Sequence, residues 1–203
     1  GELVNPNWLI FGRQSRGLTQ KQLADSLRVN QSWLSRVEGG LRSVPDDKLR
    51  EIAATLKYPL EFFTQIDPPY LRGFSGVFHR KLTVPDKLLD GIYAQLVIIS
   101  TRLDTLLQGV EIEGSDLKSV NLDEGMMTPE EVARTLRANW GMPFGPIPNV
   151  TRAIENAKVL IVPFDFGTRR VDAVSFCLPK SHPLFFVNVI APGDRLRFTL
   201  AHE

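Results

Sequence analysis

The stretch that most restricts the fold is Gly17 to Gly40, GLTQKQLADSLRVNQSWLSRVEGG. Leu23, Ala24 and Leu27 fall at i, i+1 and i+4, one side of a helix, with Thr19 placed as its cap. Leu34 and Val37 make a second small apolar seam. Asn30 is a good N-cap residue there, and Gly39-Gly40 closes the helix. Only Arg28 and Val29 separate the two patterns, so the chain has room for a sharp corner and nothing more.

The neighbouring segments supply a core for this pair. Asn5 to Ser15 reads as a first helix with Trp8, Leu9 and Phe11 turned inward. Pro45 marks another helix start, followed by Leu49, Ile52, Ala53 and Leu56 at helical spacing. Leu60, Phe62 and Phe63 close a five-helix all-α domain spanning residues 1–66, and Asp67-Pro68-Pro69 breaks the pattern after it.

Two helices joined by so short a turn, the second with polar residues outward, suit helix-turn-helix geometry. Thr19-Gln20-x-x-Leu23-Ala24 followed by Asn30-Gln31-Ser32-x-Leu34-Ser35-Arg36-x-Glu38-x-Gly40 resembles the lambda-repressor-like domain of the XRE regulators, over about residues 8 to 63. The resemblance implies a second helix lying in the DNA major groove. Gln31, Ser32 and Arg36 match its base-reading positions, Asn30 opens that helix, and Gln20 matches a phosphate contact. The side-chain chemistry agrees: Gln pairs bidentately with adenine, Arg with guanine, and Ser with several acceptors. Phosphate contacts from Gln20, Arg16 and Arg42 would set register on a double-stranded operator and carry the salt dependence. Trp33 departs from the small polar residue usual at its position.

A net charge of +1 over 203 residues does not by itself advertise nucleic-acid binding. The charge is uneven, however. Up to Val44 the chain holds Arg13, Arg16, Lys21, Arg28, Arg36 and Arg42 against Glu2, Asp25 and Glu38. The single cysteine, Cys177, excludes an internal disulfide and reads as a buried thiol. No signal peptide is read in the sequence and no uninterrupted apolar span reaches about 18 residues, so the expected setting is the cytoplasm, without a membrane.

Residues 67–127 read as a linker and a long amphipathic helix. Thr83-x-x-Asp86 with Pro85 predicts a capping box. Leu89, Ile92, Leu96, Ile99, Leu103, Leu106 and Val110 then repeat at three and four. Two uses stay open for this stripe: pairing two subunits into a homodimer, or burial against the C-terminal domain, which its width favours.

From residue 128 the pattern is α+β. Thr128-Pro129-Glu130-Glu131 is a capping box opening a helix to Trp140, and Asn149 caps a helix to about Ala157. Strands follow at Val159–Val162, Asp172–Leu178 and Leu184–Val189, and Pro192-Gly193-Asp194 leads into a last helix.

The capping-box helix, Gly145-Pro146-Ile147-Pro148, the Val159–Val162 strand and Phe198-Thr199-Leu200-Ala201-His202-Glu203 resemble, in order, the ImmA/IrrE metallopeptidases, over about residues 70 to 203. The resemblance implies a zincin-like domain at 128–203, with His202 as first ligand of a His-Glu-x-x-His zinc site and Glu203 as general base. The second His is absent because the sequence stops at Glu203, so zinc and peptidase activity are expected only of a longer parent. The whole then reads as a multidomain chain, an XRE-type transcriptional regulator with an incomplete peptidase-like or signal-sensing domain. Family precedent implies a repressor protein as peptidase substrate. The alternatives are a zinc endopeptidase whose helical head docks protein targets, and an antitoxin-like interaction protein.

Overall fold

The computed structural model describes residues 3–68, 77–80, 84–108, 110, 117, 127–142, 144–178 and 182–202, excepting residue 143 and the side chains of 77–80, 176–178 and 182. The chain forms two compact units, Gly1–Phe74 with Leu82–Val110, and Ser75–Lys81 with Glu111–Glu203.

The first unit is helical: α1 Pro6–Ser15, α2 Gln20–Ser26, α3 Gln31–Glu38, α4 Asp46–Leu56 and α5 Asp86–Leu107. The element expected as a fifth short helix is a single 3₁₀ turn, Leu60–Thr64. Pro59 precedes it, and Phe62 and Phe63 drop from it into the core. Trp8 meets Phe62 edge-on at 5.2 Å, and Tyr58 stacks on Phe62 at 4.0 Å. Fully buried Leu9, Leu23, Leu34, Ile52 and Leu56 complete the centre, each contributing roughly 1.5–3 kcal/mol relative to exposure.

Asn5 caps α1 by accepting from the Asn7 backbone N–H at 3.0 Å. Its Nδ2 donates to the Gln65 carbonyl and to Asp67 Oδ1, both at 2.8 Å. The first helix is thereby tied to the residues just before the prolines.

α5 packs on α1. Gly91 brings the two backbones together: a Cβ at this position would lie 3.1 Å from the Gln14 carbonyl oxygen. Gln95 Nε2 donates to the Ser15 carbonyl at 3.2 Å, and Ala94, Val97 and Ile98 join the core of the helical unit. The long helix therefore helps to complete the N-terminal unit through residues that lie beside the three-and-four stripe, not on it. Within the stripe itself Ile92 and Leu96 are buried, while Leu106 and Val110 are exposed. The helix begins with Pro85 at its cap and no side-chain cap bond. Thr83, expected to form a box there, lies outside the described residues. Burial raises the Tyr93 phenol above its ordinary 10.0.

The second unit holds β1 Val77–Arg80, α6 Pro129–Asn139, α7 Val150–Asn156, β2 Leu160–Phe164, β3 Val171–Leu178, β4 His182–Asn188 and α8 Gly193–His202. Its four-stranded sheet has the order β1-β3-β4-β2. β3 runs antiparallel to both β1 and β4, whereas β2 runs parallel to β4. Ala173, Phe185 and Val187 share a core with Val150 and Ile154 of α7 and Leu200 of α8. Asn188, buried at the end of β4, donates to the Thr168 and Val171 carbonyls at 2.8 and 2.7 Å. Arg195 reaches Asp172 at 2.5 Å, tying α8 to β3.

The capping box at Thr128 and the Asn149 cap both form as read from the sequence. Helices with a small mixed sheet agree with an α+β unit, but they do not establish a zincin. No helix among the described residues is long and apolar enough to cross a membrane.

Gly91→Val should lower stability by about 1–3 kcal/mol through overpacking against α1, even though Val is the better helix former. Urea denaturation measures this, and an unchanged midpoint would refute the close approach.

Candidate nucleic-acid interface

The geometry of the central helix pair begins with its caps. Thr19 Oγ1 accepts from the Gln22 N–H at 3.1 Å, while Gln22 Oε1 accepts from the Thr19 N–H at 2.9 Å, a reciprocal capping box. α2 ends in a Schellman turn, with Arg28 N–H to the Asp25 carbonyl and Val29 N–H to that of Ala24. Arg28 takes the left-handed conformation there, at φ 54°, a place glycine usually fills. The connection is thus four residues, Leu27 to Asn30, two more than the sequence pattern allowed for.

Asn30 Oδ1 accepts from the Trp33 N–H at 2.7 Å and from Ser32 Oγ at 2.9 Å, so it starts α3 and holds the first outward hydroxyl. α3 ends in the same kind of turn, with Gly40 at φ 70°.

α3 buries Leu34, Val37 and Glu38. At about 100° per residue, Gln31, Ser35, Ser32 and Arg36 follow one another around the opposite side, and all four are exposed. Ser35, absent from the residues singled out as base readers, lies in the middle of that band. Its signal was its helical phase relative to Gln31, one turn earlier.

The helix is set in place from behind. Arg13 and Glu38 form a buried two-pronged ion pair, Nε to Oε1 at 2.6 Å and Nη2 to Oε2 at 2.9 Å. Arg13 Nη1 also donates to the Leu18 carbonyl at 2.8 Å, and Gln20 Nε2 donates to Glu38 Oε2 at 2.7 Å. Because the carboxylate only accepts, the amide nitrogen of Gln20 must face it. One network therefore joins α1, the loop before α2, the first residue of α2 and the last of α3. Such charge-assisted, forked bonds are directional, so they set the angle at which α3 leaves the domain surface.

The expected phosphate contacts divide. Arg42 is exposed, with its guanidinium 5.9 Å from the centre of the half-buried Trp33 ring. Trp33 packs its ring against the core, so a large residue at that position covers apolar surface. Arg16 has other commitments: Nε donates to the Leu56 carbonyl at 2.7 Å, Nη2 to that of Lys57 at 3.1 Å, and the group sits 4.3 Å over the Tyr58 ring. It thereby serves the last turn of α4. Arg13, buried and paired with Glu38, adds nothing to the surface charge, which leaves Arg16, Lys21, Arg28, Arg36 and Arg42 as the exposed cations of this segment.

At the other end of the chain, His202 is exposed near the end of α8, its ring stacked on Phe198 with centroids 6.4 Å apart. Glu203 lies outside the described residues. No three His, Cys, Asp or Glu side chains among the described residues converge to hold a metal ion. One imidazole does not make a zinc site, which needs three protein ligands for hydrolysis, and the zinc was expected only of a longer parent.

With this geometry established, comparison with known proteins places residues 13–61 on the model of a family described as a helix-turn-helix domain. No curated protein and no solved structure matches the chain significantly. A helix-turn-helix domain suggests a DNA-binding regulator. Nothing in the comparisons supports fusion to an ImmA/IrrE peptidase.

Replacing Glu38 by Leu alone should cost about 3–5 kcal/mol, because Arg13 would remain buried and charged without its partner. Arg13→Met combined with Glu38→Leu should recover most of that loss. A double-mutant cycle by chemical denaturation reads the coupling, and additive losses would show that the pair does not act as a unit.

Proposed function

We propose that the N-terminal unit reads DNA sequence through the outward face of α3 and that the chain is a transcriptional regulator of the XRE type. The observation that carries this reading is the exposed band of Gln31, Ser32, Ser35 and Arg36, held at a set angle by the Arg13–Glu38–Gln20 network. In helix-turn-helix proteins the N-terminal residues of the second helix contact base edges while the first helix crosses the backbone.

Gln31 is assigned to adenine and Arg36 to guanine, with both serines as shorter donors or acceptors. Gln20 and Arg42 are assigned to phosphates. Arg16 stays in that group as an exposed cation, since the two carbonyls and the aromatic face it serves leave its charge at the surface. Asn30 acts one step back, by starting α3 and orienting Ser32.

Selection from a random duplex pool followed by fluorescence anisotropy tests the reading. Gln31→Ala and Arg36→Ala should each weaken binding to the selected site by about 1–3 kcal/mol and relax preference at one position, with a much smaller effect on random duplex. Absence of any preferred sequence at moderate ionic strength would overturn base reading and favour a head that docks proteins.

A further inference from the structure

An open groove runs beside the start of α2 and α3, within the helical unit. Thr19, Gln20 and Lys21 of the α2 end and Gln31 of α3 form one wall, and Lys87 and Asp90 of α5 contribute from outside the helix-turn-helix segment. Three of these residues belong to the surface across which the DNA backbone would pass. From this arrangement we propose that Lys87 is a DNA phosphate contact supplied by α5, extending the interface beyond residues 13–61. The inference rests on the DNA-reading proposal and adds a residue that no helix-turn-helix pattern contains.

First, position: α5 is held to α1 by the close approach at Gly91 and by the Gln95–Ser15 bond, so Lys87, one turn earlier, is carried on a rigid support. Second, charge: Arg13 reaches this groove but is neutralised by Glu38, which leaves Lys21 and Lys87 as the cations able to meet a phosphate. Asp90 opposes them from the same helix, one turn beyond Lys87. Third, reach: Lys87 is exposed, and a lysine carries its ammonium on a flexible stem suited to a point contact with a backbone oxygen.

A contact of this kind carries no base information, so its signature is uniform weakening with a shallower salt dependence. The experiment measures anisotropy of the full chain on selected and random duplexes from about 0.05 to 0.3 M salt. Lys87→Gln should reduce the slope of log affinity against log salt by about 1 on both duplexes. If the two lines meet near 1 M, affinity at about 0.1 M should fall roughly 5- to 10-fold. Lys87→Arg should retain the slope, and Asp90→Asn should strengthen binding to both duplexes by a common factor.

Lys57→Gln removes the same charge from an exposed site outside the groove and serves as the control. An equal loss of slope in Lys57→Gln would mean that only net charge matters, and the contact would be refuted. An unchanged slope in Lys87→Gln, with wild-type binding intact, would also refute it while leaving base reading by α3 in place. Failure of the wild-type chain to bind DNA would overturn both proposals together. Circular dichroism melts should coincide for all variants, because Lys87 is exposed; a lowered melt with restored binding at low temperature would assign Lys87 to stability and refute the contact.

Discussion

The pairing of Arg13 with Glu38 is the constraint on which the helical unit depends. An ion pair taken out of water is weak as a source of net stability, because desolvation offsets much of the Coulomb attraction. Its strength is directional. The fork of the guanidinium accepts one orientation of the carboxylate, and Gln20 occupies a further lone pair, so three helices are locked to one another at a single point. Apolar contacts such as Leu23 against Leu34 hold the helices together but tolerate small rotations. A surface that must match base-pair edges tolerates them poorly. The charged network supplies the angular restraint that the core lacks.

The placement of α5 changes what the helix-turn-helix segment can be considered to include. A domain ending near Asp67 would present the α1 surface to solvent on the side that α5 covers. With Ala94, Val97 and Ile98 packed there, the helical unit has a further layer, and the chain leaves it to form β1 before returning for α5. The two units are thus threaded through one another in sequence, although each has its own core. Of the apolar stripe that looked suited to a second subunit, Ile92 and Leu96 are buried, whereas Leu106 and Val110 remain exposed. The same helix brings Lys87 and Asp90 to the edge of the candidate DNA surface, where no recognition motif would look for them.

How far the sequence revealed these features depended on the range of the interaction. Thr19, Asn30, Thr128 and Asn149 each accept from the N–H group three residues on, and each caps the helix expected of it. The outward face of α3 was equally legible, since helical phase follows from the spacing of Leu34 and Val37. That Arg16 also closes the end of α4, some forty residues later, was not legible, because nothing local shows that those carbonyls need its guanidinium. β1 was left unassigned because Val77–Arg80 is too short to show alternation, and it becomes a strand by pairing with β3 nearly a hundred residues on.

By itself, the amino-acid order determined where helices start and stop, which residues of α3 face outward, and the helix-turn-helix character of residues 13–61. These follow from hydrogen bonds and periodicities that close within one or two turns. Tertiary structure alone decided that Arg13 joins Glu38 instead of the surface charge, that α5 covers α1, and that the sheet takes a fourth strand. Each of those depends on which distant groups are left unsatisfied once local structure has formed. A buried carboxylate needs its cation and an exposed apolar face needs a cover, and only the folded chain shows which residues meet those needs.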